Sequence, residues 1–262
     1  MTEKDHLWLH LRDLPYFRAL VRAVEARFYE SIDLPAPSLD IGCGDGHFAS
    51  VAFERRLEVG LDPWRGPILE AARRGSYLSL VLADAGCIPC PDGFFASAVS
   101  NSVLEHIPHV EVVLEETARV LRAGAPFIFC VPNQNFLAAL SVGRGFDRLG
   151  LRPFGKVYRS FFNRISRHHH CDPPQVWQER LERAGFRLER WWHYFPPSAL
   201  ALVEWGHYFG LPSLIAHWLS GRWILVPERW NLALTRRLVE GVYNQDPHSD
   251  QGVYTFYVAR RL

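Results

Sequence analysis

The chain has 262 residues, 48% of them hydrophobic, and a formal net charge of +1. This length supports one large α/β domain with insertions, and the balanced charge argues against a surface that binds nucleic acid. Five cysteines without small-domain disulfide spacing, a charged start and short uncharged runs predict a cytoplasmic protein without a transmembrane segment.

The first predicted element is a helical cap over residues 1–35. Apolar side chains recur close to one helical face from residue 7 to residue 30, and Pro15 predicts a break in that helix. A proline-containing turn at 34–38 then leads into a buried strand that contains Leu39 and Ile41. We therefore expect the sheet of the domain to begin directly after this cap.

A glycine-rich loop follows that strand in the sequence SLDIGCGDGHFAS, residues 38–50. Gly42, Gly44 and Gly46 allow tight turns and close approach of a ligand to the backbone. The dinucleotide fingerprint G-x-G-x-x-G would need a glycine at position 47, which is His47. The pattern here is D-x-G-x-G-x-G, starting at Asp40, which counts against a dehydrogenase.

This pattern resembles motif I of the class I S-adenosylmethionine (SAM) dependent methyltransferases. The next predicted strand, 57–62, ends at Asp62, where a carboxylate can accept both ribose hydroxyls. A third strand, 77–82, precedes the segment that in the family contacts adenine. The resemblance implies SAM as cofactor, held by Asp40, Gly42, Cys43, Gly44, Gly46, Asp62, Pro63, Asp84, Ala85, Asn101, Ser102 and Val103.

The resemblance covers about residues 36–133, which we expect to form a Rossmann-like core. A strand at 96–100, a helix at 110–122 and a strand at 127–131 complete it. Residues 134–172 are interpreted as an inserted substrate cap. The remainder, 173–262, is predicted to contain a helix and a sixth strand, an aromatic-rich helical insertion at 196–238 and a final strand. The expected fold is a doubly wound, seven-stranded, mostly parallel α/β sheet with helical cap insertions.

The catalytic candidates are histidines. His106 follows the fourth strand, and it could act as a base, line the methyl channel or hold the loop. His168, His169 and His170 are consecutive, so their side chains diverge and cannot all ligate one metal on regular backbone. We predict no metal. Either one histidine of this run enters the active site as a base or substrate contact, or the run forms a solvated loop.

The predicted function is methyl transfer from SAM to a small molecule, most readily to an oxygen of an apolar, aryl, lipid- or sugar-containing metabolite. The aromatic stretch 191–230 could be a lid core, an acceptor wall or a peripheral membrane contact. The alternatives are a non-catalytic SAM-binding protein on the same fold and an RNA methyltransferase. The sequence leaves the acceptor and the oligomeric state open, and it favours a small-molecule partner over nucleic acid.

Overall fold

The computed structural model describes residues 4–262, so the first three residues of the predicted cap lie outside it. Seven strands are found in this range: β1 (Ser38–Ile41), β2 (Leu57–Asp62), β3 (Tyr77–Leu82), β4 (Ser97–Asn101), β5 (Pro126–Pro132), β6 (Phe186–Tyr194) and β7 (Tyr254–Arg261). The α-helices of the same range are α1 (His6–Leu11), α2 (Tyr16–Tyr29), α3 (His47–Ala52), α4 (Arg65–Arg74), α5 (Val110–Val120), α6 (Phe136–Ala139), α7 (Ser141–Arg148), α8 (Arg152–Ser166), α9 (Pro174–Arg183), α10 (Pro197–Phe209), α11 (Leu211–Ser220) and α12 (Ala233–Tyr243).

One sheet joins all seven strands in the order β3-β2-β1-β4-β5-β7-β6. The first five are parallel, whereas β7 runs antiparallel to both β5 and β6. Every residue of β4 is buried, as expected for a central parallel strand with helices on both faces. The predicted α/β class and the mostly parallel seven-stranded sheet are confirmed.

Two hydrophobic cores lie on the two faces of this sheet. One contains the N-terminal helices, in which Phe28 of α2 makes edge contacts with Tyr194 and Phe256 at ring-centroid distances of 5.1 and 5.3 Å. The other contains α5 and α9, where Trp177 is fully buried against Phe129. The N-terminal helices therefore pack on one face of the sheet as part of the fold.

The predicted bounds of β2 and β3 are those observed, and the predicted break at Pro15 separates α1 from α2. Helix α4 was not predicted, because only Ala71 of its ten residues is buried and no apolar period marks it. The predicted cap, 134–172, contains three helices, and the second insertion extends to Tyr243 in α12, beyond the predicted limit at 238. Among the described residues, no helix has the length and apolar character that crossing a bilayer requires.

Candidate active site

The glycine-rich loop lies at the carboxyl end of β1, between β2 and β4, where the order of the strands reverses. In open α/β sheets this is the position where ligands bind. The loop is anchored by the amide N–H groups of Gly42 and Cys43, which both donate to the carbonyl of Leu61 at 2.8 and 2.9 Å. The loop is thereby fixed to the end of β2.

The three glycines of the loop have different roles, although all have positive φ. A Cβ on Gly42 would lie 2.4 Å from Val103 Cγ1, so glycine is needed there for packing. A Cβ on Gly46 would lie 3.1 Å from the Cβ of Ala71, which is also a packing contact. Only Gly44, at φ +54°, has no atom within 4 Å of that position. Gly44 is therefore the glycine with open space beside it.

Two buried carboxylates support the loop. Asp62 accepts hydrogen bonds from the amides of Gly44 at 3.0 Å and Trp64 at 2.9 Å. Asp40 accepts a 2.6 Å hydrogen bond from the hydroxyl of Tyr77. Burial raises the pKa of Asp40 to about 6 against the lowering effect of that bond. Asp62 thus holds the loop directly and retains lone pairs for a ligand hydroxyl, whereas Asp40 ties the end of β1, from which the loop starts, to Tyr77 of β3.

The remaining predicted cofactor contacts lie in two segments. Asp84 is exposed and accepts from the amide of Gly86 at 2.7 Å, while Ala85 beside it is buried. Pro63 follows Asp62 and is exposed. Asn101 and the neighbouring Ser102 and Val103 follow β4, and Asn101 lines the same cavity as the glycine loop. The cofactor roles of these residues remain predictions.

A cavity opens between this loop and the helices that cover it. Its walls include Gly42 and Gly44 of the loop and the side chains of Arg18 and Arg22 from α2. Trp223, which follows α11, also lines this cavity and stacks on His217 with ring centroids 4.1 Å apart. The N-terminal helices and the aromatic C-terminal insertion therefore both reach the predicted cofactor site.

A second cavity lies beside the first and shares Arg18 and Arg22 with it. Its apolar walls come from five different helices and strands or their ends, namely Phe17, Val21, Phe136, Ile165, Val203 and Tyr254. Besides the two arginines, its polar lining is formed by Ser102, Glu105, His106, Ser166, His168 and His207. We call it the acceptor cavity. It combines apolar walls with a cationic end that is turned toward the cofactor cavity.

A buried glutamate on α2 holds the end of β4 in place. Glu25 is fully buried and accepts from Asn101 Nδ2 at 2.6 Å, Ser102 Oγ at 3.1 Å and the hydroxyl of Tyr194 at 2.8 Å. Arg22 lies 3.9 Å from the same carboxylate. Sequence reasoning missed Glu25, although a glutamate inside the apolar face of a helix was a visible signal.

The structure separates the four candidate histidines. His106 and His168 line the acceptor cavity, with ring centroids 5.3 Å apart. Burial lowers the pKa of both, in His168 to about 3 with a contribution from His106, so both are neutral at pH 7. His169 and His170 instead donate their backbone N–H groups to the carbonyl of Glu105 at 2.7 and 3.2 Å. Those two serve to attach the segment, and their catalytic role remains untested.

Glu105 is the one acid among the described residues that line the acceptor cavity. It is 2% exposed, and its Oε2 has no hydrogen-bond partner in the described structure. Burial raises the pKa of its carboxyl to about 8. One potential ligand atom each of Glu105, His106 and His168 lies within 4.8 Å of the other two, so these residues could hold a cation. The expectation of no metal remains a prediction.

The fold and the loop define an α/β protein that binds a nucleotide-type cofactor at the carboxyl edge of a parallel sheet. A family profile described as a methyltransferase domain matches residues 39–129, which run from β1 into β5. This part of the chain is therefore a methyltransferase domain of the class I SAM-dependent type, whose cofactor is SAM. The predicted family and cofactor are thereby confirmed.

Individual relatives give the range of this family. A fatty-acid O-methyltransferase of Mycolicibacterium smegmatis is 38% identical over 97 residues, which are 35% of each chain. A trans-aconitate 2-methyltransferase of a Mycobacterium species is 28% identical over 184 residues, 69% of this chain and 66% of the relative. Across the curated relatives matched, the aligned part spans 35% to 66% of the relative's length.

A solved structure with the same fold is that of geranyl diphosphate C-methyltransferase from Streptomyces coelicolor, in complex with Mg²⁺, geranyl diphosphate and S-adenosyl-L-homocysteine. Its TM-score is 0.55 at 14% sequence identity, and the alignment covers 95% of this chain and 84% of that one. At this identity the similarity shows the fold alone.

Proposed function

We propose that this protein transfers the methyl group of SAM to an oxygen of an apolar small molecule, and that a carboxylate is the acceptor that the cavity fits best. The observation that carries the proposal is the pair Arg18 and Arg22, which stands where the acceptor cavity meets the cofactor cavity. An apolar acid could lie along the apolar walls with its carboxylate on these guanidinium groups.

The charges of the two arginines favour an anionic group. Arg22 lies 3.9 Å from Glu25, whereas Arg18 has no salt-bridge partner among the described residues and faces the ring of Trp223 at 5.3 Å. Burial and the neighbouring charge of Arg22 lower the pKa of Arg18. An acceptor carboxylate would supply the missing counter-charge. The two relatives named above act, by their names, on a fatty acid and on trans-aconitate, which are carboxylic acids.

The chemistry also agrees with the state of the side chains. A carboxylate attacks the methyl carbon, the carbon–sulfur bond breaks, and a methyl ester and S-adenosylhomocysteine are formed without any proton transfer. The anionic acceptor and the cationic sulfonium become two neutral products, so a water-poor cavity favours the reaction. Alignment of the reactants supplies the main rate gain, roughly 7–11 kcal/mol. Neutral His106 and His168 could then line the methyl path without acting as bases.

The test is a methyl-transfer assay with labelled SAM on a saturated C10 carboxylic acid and on the C10 alcohol of the same chain length. We expect a base-labile methyl ester from the acid and no ether from the alcohol. In Arg18→Met, KM for the acid should rise at least tenfold while the affinity for S-adenosylhomocysteine, measured by calorimetry, changes less than threefold.

Three other results would assign the site differently. Methylation of the alcohol alone would replace the carboxylate by a hydroxyl acceptor. A loss of S-adenosylhomocysteine affinity in Arg18→Met, with KM unchanged, would assign that guanidinium to the cofactor. Tight S-adenosylhomocysteine binding without transfer to any member of an acid, alcohol, phenol and amine panel would favour a non-catalytic SAM-binding protein.

A further inference from the structure

The outer side of α8 carries an apolar stripe that faces solvent. Phe154, Val157, Phe161 and Ile165 follow one another at spacings of three, four and four residues, which places them on one side of the helix. Their exposed fractions are 59%, 69%, 50% and 43%. A surface helix normally turns such a stripe toward the core. In α8 the core contact is instead made by Phe162 on a different side, so the α8 stripe is left uncovered.

Basic residues flank the α8 stripe. The segment 141–167 contains seven basic residues and a single acid, which gives it a net charge of +6 in a chain whose total is +1. Arg159 pairs with that acid, Asp147, at 2.5 Å. The other six are exposed and have no ion-pair partner within the part of the chain that the structure describes: Arg144, Arg148, Arg152, Lys156, Arg164 and Arg167.

Aromatic residues of α10 extend the same surface. The hydroxyl of Tyr208 donates to that of Tyr158 in α8 at 3.0 Å, and Trp205 Nε1 donates to Ser141 Oγ of α7 at 3.2 Å. Trp205, Tyr208 and the adjacent Phe209 are all exposed. Tryptophan and tyrosine with one polar and one apolar end favour the headgroup level of a bilayer.

We propose that the α8 stripe and its flanking basic residues dock this protein on an anionic lipid bilayer. An exposed apolar stripe between unpaired cations is the arrangement that binds helices in the plane of such a surface. A second copy of the chain is disfavoured as the occupant, because two segments of charge +6 would face each other. Ile165 belongs both to the stripe and to the lining of the acceptor cavity, so the docked orientation would bring that cavity next to the lipid.

The test is flotation of the protein with vesicles of phosphatidylcholine alone and of phosphatidylcholine with phosphatidylglycerol. We expect binding to the anionic vesicles at least tenfold stronger than to the neutral ones, and a marked loss of that binding in 0.5 M salt. Docking does not depend on methyl transfer. A negative methyl-transfer assay would therefore leave the flotation result unchanged, and negative flotation would leave the methyl-transfer assay unchanged.

Matched variants distinguish binding through the α8 stripe from non-specific binding through other exposed apolar or basic residues. Val157→Asp with Phe161→Asp, and separately Arg152→Glu with Lys156→Glu, should each lower anionic-vesicle binding at least tenfold. The apolar control is Val112→Asp on α5, which is 50% exposed, and the charge control is Arg56→Glu with Arg73→Glu. Both controls should bind like wild type, and calorimetric S-adenosylhomocysteine binding verifies that every variant is folded.

The proposal is overturned if wild type binds neither kind of vesicle, or binds both equally. It is also overturned if the control variants lose binding as strongly as the stripe variants. Sedimentation velocity tests the other occupant, since a wild-type dimer that becomes a monomer in Val157→Asp with Phe161→Asp, without vesicle binding, would assign the stripe to a second copy.

Discussion

Two glycines of the loop, Gly42 and Gly44, are required for different physical reasons. At Gly42 the backbone has φ +76° and the space beside the α-carbon is filled by Val103, so both conformation and packing require glycine. At Gly44 the backbone is also left-handed, but the space is open. The first position therefore concerns the stability of the fold, and the second concerns what can approach the loop.

This difference predicts unequal effects of alanine at the two positions. Gly44→Ala should cost about 1–2 kcal/mol for the left-handed backbone alone. Gly42→Ala should cost that amount and a further ~1–3 kcal/mol from overpacking against Val103. Thermal unfolding monitored by circular dichroism measures both. Equal melting temperatures in the two variants would contradict the assignment of Val103 as the contact that requires Gly42.

At the scale of elements, the aromatic insertion lines the predicted cofactor site together with the glycine loop. Trp223 and His217 line the cofactor cavity, whereas Trp218, next to His217 in α11, is 82% exposed. Trp223→Ala should therefore weaken S-adenosylhomocysteine binding roughly fivefold or more, because a stacked wall of the cavity is lost. Trp218→Ala is the matched control, and calorimetric titration should give it the wild-type affinity. Equal affinities of wild type, Trp223→Ala and Trp218→Ala would show that the insertion does not contribute to cofactor binding.

The elements that sequence predicted best were those with a strong local period or motif. The apolar residues of β2 and β3 predicted both strands with the observed bounds, and the glycine pattern predicted the turn that follows β1. The role of that turn in cofactor binding stays a prediction. Helix α4 was missed because Ala71 is its one buried residue, so no apolar period marks it in the sequence. Arg18, Arg22 and His106 line one cavity. The sequence could not predict this proximity, because it depends on how α2 packs across the sheet.

The site residues show the same limit. Sequence placed His168, His169 and His170 together, yet only His168 lines the acceptor cavity, because the backbone of the other two is fixed to Glu105. Glu105 itself stood in the predicted segment after β4 without a role. Its importance follows from burial, which no local pattern reports.

At the scale of the whole molecule, the buried carboxyl of Glu105 makes stability depend on pH. Its pKa is raised from 4.5 to about 8 by burial, so the folded state holds this proton more tightly than the unfolded state. Stability is therefore fully retained below about pH 4.5 for this group and is lost as pH rises toward about 8. The loss is up to about 5 kcal/mol.

Glu105→Gln should remove that part of the pH dependence. The free energy of unfolding from urea titrations between pH 5 and pH 9 should fall less steeply in the variant than in wild type. Asp40, whose pKa burial raises to about 6, contributes in the same direction in both proteins and cancels in the comparison. The exposed Glu54→Gln is the control, and its curve should parallel that of wild type. Parallel curves for wild type, Glu105→Gln and Glu54→Gln would show that the protonation of Glu105 does not cause this pH dependence.

The position of β7 has a consequence for synthesis. Among the described strands, β6 pairs along its length with β7 alone, and β7 lies between β5 and β6 in the sheet. In the chain, 59 residues separate β6 from β7. While the ribosome adds the aromatic insertion, β5 has one free edge and β6 has two. The sheet is completed only when β7 leaves the ribosome and pairs with β5 and β6. The helices of the aromatic insertion are therefore synthesised before the strand that completes the sheet.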